Sequence, residues 1–265
     1  MAAKTTKYSL IAAVALLVSA GTSLSQPMKS SGSFTIDVKA TAGEQYAYAS
    51  GLTTSSPDLA ERTEAVIRSV AALEVIPKRW PNNRGLTIRA YGEIVSRLNG
   101  ARLYQNAIGF CEKAIAYVGP VPQRLPFIAA KGRALMWLNR SPEAQQAFDE
   151  AVAGAGFEAL SDSEKIVIFR DAGFFYERQG NYRIAAQHAR ARAKYSADDL
   201  FRAEALRKAL DLSLIAGDYA NARADLDNLS DAALKARLRN LQPPDQDLLR
   251  RIDAAIVEYR KKLGG

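Results

Sequence analysis

Histidine and cysteine are nearly absent from this chain of 265 residues, which contains one of each, His188 and Cys111. A single cysteine excludes an intramolecular disulfide, and a single histidine leaves almost no basis for a histidine-ligated metal site. A serine–histidine–aspartate triad would have to use His188, but no nucleophile motif lies near it in the sequence. We expect His188 to be a surface or half-buried helix residue and Cys111 to be a small buried hydrophobe.

The sequence also lacks the local patterns by which many enzymes bind substrates and cofactors. It has no glycine-rich phosphate loop, and its 28 carboxylates follow no pattern that would pair two of them for catalysis. Strand patterns do not alternate with helix patterns, which excludes a parallel α/β sheet. We predict that the protein is not an enzyme and uses no cofactor or metal; an α-helical enzyme is the least favoured alternative.

Long apolar runs are missing everywhere except near the N-terminus. Lys4 and Lys7 precede the apolar run Leu10–Val18, and small residues follow it, as in an export signal. The run is shorter than the roughly 20 residues that span a bilayer. We predict that residues 1–25 are a cleaved signal peptide and that the protein is periplasmic or secreted; an uncleaved N-terminal anchor is the alternative.

Basic residues exceed acidic residues, 36 to 28, which gives a formal charge of +8. Such a balance favours acidic partners, but arginine and lysine clusters with interleaved acids are usually solvated helix faces. Peripheral contact with an anionic envelope surface is the alternative, and nucleic acid is disfavoured because no stacking-aromatic pattern is present. The clusters are Arg183, Arg190, Arg192 and Lys194, and Arg250, Arg251, Arg260, Lys261 and Lys262.

Residues 26–56 are rich in serine, threonine, glycine and alanine, and within them Phe34, Ile36 and Val38 alternate with polar residues. The alternation is typical of a short strand, which could pair with the sheet edge of another chain. A flexible segment is the favoured interpretation. Ser56 and Pro57 then resemble the start of a helix, which Pro77 and Pro81 would end.

The rest of the chain is predicted to be helix, turn and helix in succession. Ser161 and Glu164 form a capping-box pattern, and Ser141–Pro142 is a second helix start. The predicted helices are 86–99, 103–117, 124–138, 142–154, 162–179, 182–194, 198–216, 219–229, 231–240 and 244–262.

Four segments of this region align with one another: 90–115, 127–152, 168–193 and 204–229. Each carries an alanine soon after its central turn, and these marker alanines are Ala107, Ala144, Ala185 and Ala222. Gly132 and Gly173 also keep paired helices close, and larger residues such as Leu135, Phe148 and Tyr176 fill the space between pairs. Glycine in the turns Gly180-Asn181-Tyr182 and Gly217-Asp218-Tyr219 permits a positive φ at the helix end.

These segments resemble the tetratricopeptide repeat, a helix-turn-helix unit. The resemblance implies an all-α, right-handed α-solenoid with four repeats over 86–229, a degenerate half-repeat and linker over 57–85, and C-terminal capping helices over 230–265. The marker alanines are 37, 41 and 37 residues apart, whereas the family's period is about 34. Extra residues at 118–124, 154–164 and 195–199 account for the wider spacing.

The resemblance implies that the first helix of each repeat lines a concave groove. Arginines there would hold carboxylates, and aromatic residues would supply anchoring area. The alternative places Trp137 and Phe174 in the core between repeats and leaves the arginines solvated. The candidate groove residues are Arg89, Asn99, Arg133, Met136, Trp137, Arg170, Phe174, Arg178 and Arg207.

The predicted function is therefore that of an exported scaffold or adaptor in envelope assembly, secretion or trafficking. Its expected partner is another protein or peptide, and the groove arginines favour an acidic one. The alternative is a structural subunit of a larger envelope complex that docks through residues 26–56 and the solenoid face.

Overall fold

A computed structural model describes residues 35–53, 56, 58–237 and 243–264. Within these ranges the chain forms eleven α-helices and no strand. The helices are α1 (Ala42–Gly51), α2 (Leu59–Arg79), α3 (Arg84–Gly100), α4 (Tyr104–Val118), α5 (Leu125–Trp137), α6 (Ser141–Ala153), α7 (Asp162–Arg178), α8 (Tyr182–Tyr195), α9 (Asp199–Ile215), α10 (Tyr219–Arg237) and α11 (Pro243–Lys262). Across the described ranges, none of these helices combines the length and apolar character needed to cross a membrane.

The chain divides into two compact units, residues up to Phe110 and residues from Cys111 onward, with the division inside α4. In the first unit, α2 packs against both α1 and α3. In the second, the pairs α5–α6, α7–α8 and α9–α10 follow one another, and α11 packs against α9 and α10. Consecutive pairing of helices is the architecture of a helical repeat, as the sequence predicts.

The N-terminal segment requires a correction, because residues 42–51 form helix α1 instead of a flexible or short-strand segment. Gln45 is fully buried and donates from Nε2 to the carbonyl of Ala72, at 3.0 Å. The guanidinium of Arg97 donates to the carbonyls of Ser50 and Leu52 at the end of α1. Ile36 and Val38 lie in irregular backbone. Phe34 and the predicted signal peptide are outside the described residues.

Several predicted helix boundaries also differ. Pro77 lies inside α2, which continues to Arg79, and the N-cap of α2 is Asp58 rather than Ser56. The predicted break at residue 230 is absent, since α10 runs from Tyr219 to Arg237. Ser141 is the first residue of α6 and not its cap. The capping box of Ser161 and Glu164 is confirmed, with both reciprocal hydrogen bonds present.

The turns inside the four repeats share one geometry. Each has a residue in the left-handed conformation, and the N–H of the following residue donates to the carbonyl five positions earlier at 2.8–3.0 Å. This is the Schellman arrangement, which satisfies carbonyls at the helix end. The marker alanine lies five residues beyond the left-handed residue in every repeat and is fully buried. The left-handed residues are Arg102, Asn139, Gly180 and Gly217, with φ of 61°, 59°, 73° and 68°.

Two glycines allow paired helices to approach as the sequence predicts. A Cβ atom on Gly132 would lie 3.2 Å from the Cβ of Ala147, and one on Gly173 would lie 3.2 Å from the Cβ of His188. Phe148 fills the space between successive pairs, with its ring centroid 5.3 Å from that of Phe175.

The extra residues between the second and third repeats form a packed connection. Phe157 is buried with its ring 5.3 Å from that of Phe169, in an edge arrangement. Lys165, also buried, donates from Nζ to the carbonyl of Glu158 at 2.9 Å. The connection therefore widens the repeat spacing to 41 residues while keeping apolar contact between repeats.

A partly buried ion pair joins the third repeat to the fourth. Arg190 of α8 donates from Nε and Nη2 to the two carboxylate oxygens of Asp225 in α10, at 2.7 and 2.9 Å. The same guanidinium donates to Ser213 Oγ of α9 at 2.6 Å, and Asp225 and Ser213 are both almost fully buried.

Candidate ligand-binding surface

The repeat geometry places Trp137 and Arg178 at equivalent positions of neighbouring repeats. Each is the last residue of its helix, α5 or α7, and lies two residues before the left-handed residue of its turn. Phe174 is one helical turn before Arg178 on α7. We call these three side chains the aromatic patch.

The aromatic patch is exposed, which disagrees with a place in the core between repeats. Trp137 is 40% exposed and Phe174 is 42% exposed, with their ring centroids 6.0 Å apart. The guanidinium carbon of Arg178 lies 4.7 Å from the Trp137 ring centroid and 5.9 Å from that of Phe174. This cation–π contact holds the charge over the two rings while the guanidinium stays exposed.

Arg178 differs from the other candidate arginines of this unit, because it forms no ion pair with any residue that the structure describes. Arg133 of α5 and Arg170 of α7 both contact Asp171, at 3.7 and 3.0 Å. Two guanidinium groups therefore share one carboxylate, which leaves a local excess of positive charge.

Arg207 and its neighbours form a separate group on α9. Arg207 pairs with Asp211 at 3.3 Å, and the hydroxyl of Tyr259 donates to the same carboxylate. Lys208 links α9 to α7 through Glu177, at 2.5 Å. Within the second unit the first-helix surface thus combines paired charges with the exposed aromatic patch.

The remaining candidates are placed differently. Met136 is buried, at 4% exposure, and its side chain offers little surface to a ligand. Arg89 and Asn99 belong to the first unit. Arg89 is exposed and lies over the ring of Tyr46, with 4.9 Å to its centroid. Asn99 is buried, and its Oδ1 has no hydrogen-bond partner among the described residues.

Asp171 and Tyr259 belong to the candidate surface, although the sequence analysis does not single them out. Asp171 neutralises part of the charge of two predicted groove arginines, and Tyr259 of α11 binds the carboxylate partner of Arg207. Arg170 and Asp171 are adjacent in the sequence, so their proximity is evident from it. The contact of Asp171 with Arg133 of α5 depends on the packing of the two helices.

The side chains of the single histidine and the single cysteine are packed among neighbouring residues. His188 lies against the rings of Tyr176 and Phe169, with centroid distances of 5.5 and 5.8 Å. Burial lowers the pKa of His188, and the negative charge of Asp149 opposes that shift. Cys111 is buried, and its burial raises the pKa of the thiol to about 12. Over the part of the chain that the structure describes, no three His, Cys, Asp or Glu residues cluster as metal ligands.

The chain matches no protein-family model and no curated protein. The resemblance to tetratricopeptide repeats thus rests on the aligned segments and stays a prediction.

Proposed function

We propose that this protein is an exported scaffold or adaptor, built as a right-handed solenoid of tetratricopeptide-like repeats, that binds an acidic segment of another protein through the aromatic patch. The observation that carries the proposal is the exposed Arg178 guanidinium held over Trp137 and beside Phe174. Aromatic residues and arginine are the residue types that dominate binding energy at protein interfaces.

The charges around the aromatic patch support an acidic partner. Arg178 lacks a carboxylate partner in the described chain, and Asp171 is shared between Arg133 and Arg170. A carboxylate of the partner could accept hydrogen bonds from the outer edge of the Arg178 guanidinium while an apolar side chain contacts the two rings. We expect the bound segment to contain an acidic residue next to a large apolar residue.

Selection from a random peptide library displayed on phage, with the protein from residue 26 onward as bait, tests this proposal. Selected peptides should combine acidic and large apolar residues. Arg178→Gln should lower the affinity of the protein for a selected peptide about tenfold or more. Trp137→Ala should lower it by a similar factor.

Arg251→Gln, an exposed site on α11 with the same change of charge, is the matched control. Arg178 is a sharper test than Arg133, Arg170 or Arg207, because replacing any of those would also disturb an ion pair within the protein. Equal losses for Arg178→Gln and Arg251→Gln, or no loss for either, would reject the aromatic patch as the binding site.

The alternative, a structural subunit that docks through residues 26–56, has less support. Helix α1 occupies residues 42–51 and is already hydrogen bonded to α2 and α3 through Gln45 and Arg97. Deleting residues 26–41 separates the two proposals, since peptide binding at the aromatic patch should persist and docking of a subunit should fail.

A further inference from the structure

The loop between α2 and α3 forms an open cleft of about 500 Å³ in the first unit. The cleft is shallow and open, so it would contact one side of a ligand rather than enclose it. We call it the tryptophan cleft, and its lining residues are Arg79, Trp80, Pro81, Asn82, Asn83 and Arg84.

Hydrogen bonds and two prolines restrict the backbone of the cleft. The N–H of Trp80 donates to the carbonyl of Ile76, and the N–H of Asn83 donates to the carbonyl of Trp80 at 3.0 Å. The Asn83 side chain accepts from the N–H of Leu86, which caps α3. Pro77 and Pro81 fix φ on both sides of Trp80. A preformed loop loses little conformational entropy when a ligand binds.

The sequence around the cleft is rich in basic residues and poor in acidic ones. No acidic residue occurs between Glu74 and Glu93, a stretch that contains three arginines and one lysine. Glu74 pairs with Lys78, at 3.8 Å. The first turn of α3 has no acidic residue, although a helix N-terminus favours negative charge.

Arg79 and Trp80 give the cleft its chemical character. The guanidinium carbon of Arg79 lies 5.4 Å from the centroid of the Trp80 ring, and Arg79 forms no ion pair within the described chain. Trp80 is half-buried, so part of its indole side chain remains accessible. The carboxamides of Asn82 and Asn83 add hydrogen-bond donors beside the ring.

We propose that the tryptophan cleft binds a saccharide unit that carries an anionic group. A sugar ring has an apolar C–H face that matches one indole ring, and a rim of hydroxyls that matches carboxamides and guanidinium groups. Its carboxylate or phosphate would pair with Arg79. The site is separate in the sequence from the aromatic patch and does not depend on the proposed peptide-binding function.

Titration of the ¹⁵N-labelled chain with α-1,4-digalacturonate tests the proposal, with the indole Nε1–H resonance of Trp80 as the readout. Trp137→Phe assigns this resonance, because the chain has two tryptophans. We expect the Trp80 resonance to shift saturably. The neutral disaccharide α-1,4-galactobiose should bind about tenfold more weakly or not at all.

Arg79→Gln should weaken digalacturonate binding about tenfold. Trp80→Ala removes the reporting indole, so its binding is followed by the backbone amide resonances of Asn82 and Asn83, and we expect no saturable shift. Arg62→Gln is the matched control, since Arg62 is an exposed residue of the same helix with the same change of charge, and it should leave binding unchanged. Arg79 is exposed, so its replacement should not affect folding, which circular dichroism verifies.

Four results would overturn the proposal. Equal affinities for galactobiose and digalacturonate would show that the charge of the ligand does not contribute to binding. Inorganic phosphate or triglutamate that shifts the Trp80 resonance with the same affinity as digalacturonate would reduce the cleft to a general anion site. No shift with digalacturonate, or equal losses for Arg79→Gln and Arg62→Gln, would remove the site altogether.

Discussion

At the scale of single residues, the four left-handed turn positions have the same backbone geometry but different residue types. Glycine occupies this position in the third and fourth repeats, but Arg102 and Asn139 occupy it in the first and second with the same hydrogen bonds. Asparagine tolerates this conformation, whereas arginine adopts it only because the surrounding turn imposes it. The sequence predicts the two turns that contain glycine. The turns at Arg102 and Asn139 are recognised only from the backbone conformation of the structure.

Replacing Gly180 with alanine should lower the free energy of unfolding by about 1 kcal/mol. No atom lies within 4 Å of the added Cβ, so the cost comes from the positive φ alone. Gly92→Ala is the matched control, because Gly92 lies inside α3 with equally open surroundings, and alanine should stabilise that helix by roughly 0.5–1 kcal/mol. Urea unfolding measures both changes, and a shift of the same sign in both variants would contradict the explanation.

His188 should make the stability of the protein depend on pH. Its folded-state pKa lies below its ordinary value because of burial, so the unfolded chain binds this proton first as the pH falls. The contribution to stability is therefore complete above about pH 6.5 and decreases below that value until the folded-state pKa is reached. Urea unfolding between pH 5.5 and 8 measures the slope.

His188→Gln is the control for this prediction, since His188 is the only histidine in the chain. The variant should have nearly constant stability over the same range. A wild-type slope that persists in His188→Gln would assign the pH dependence to other groups.

At the scale of helices, the sequence predicts most of the architecture and misses what depends on contacts between elements. The spacing of marker alanines and the capping box at Ser161 locate repeat helices, because these signals are local. The break expected at residue 230 is absent, since Ser230 Oγ donates to the carbonyl of Leu226 and remains compatible with a continuous helix.

The candidate surface likewise combines features that local sequence predicts with features that depend on contacts between helices. Trp137, Phe174 and Arg178 lie on α5 and α7, the first helices of their repeats, and their place in a binding groove stays a prediction. The sharing of Asp171 by arginines of α5 and α7 depends on how two helices pack, which local patterns do not contain.

The ion pair between Arg190 and Asp225 should be the most sensitive polar contact among α8, α9 and α10. Asp225→Ala leaves a partly buried guanidinium without its carboxylate and should lower the free energy of unfolding by about 3 kcal/mol. The double variant Asp225→Ala/Arg190→Met should regain part of the lost free energy of unfolding, because it no longer contains the unpaired charge. Asp227→Ala, at an exposed site on the same helix, should change stability by less than about 0.5 kcal/mol.

Chemical denaturation of all three variants measures these differences. A loss for Asp225→Ala no larger than that for Asp227→Ala would show that the partly buried ion pair contributes little.

At the scale of the whole molecule, the chain consists of two compact units divided inside α4. Local helix patterns do not predict this division, because the sequence is helical on both sides of it. Cys111 is the first residue of the second unit, and it is completely buried.

Cys111 should therefore react with thiol reagents only when this region opens. A thiol pKa of about 12 reduces the thiolate fraction at neutral pH by roughly a thousandfold relative to an ordinary cysteine, and burial blocks access as well. Labelling with a maleimide should be slow in buffer and rapid in urea, with a cysteine-containing peptide as the reference. Rapid labelling of the folded protein would mean that this part of α4 opens frequently.

The two tryptophans fall one in each unit, Trp80 in the first and Trp137 in the second. Each unit thus contains an intrinsic fluorophore, and Trp80→Phe and Trp137→Phe give chains that report on one unit at a time. Coincident melting curves for the two chains would mean that the units unfold as a single cooperative transition, and displaced curves would mean that one unit persists after the other has melted. The position of two aromatic side chains therefore makes the cooperativity of this fold measurable without any attached label.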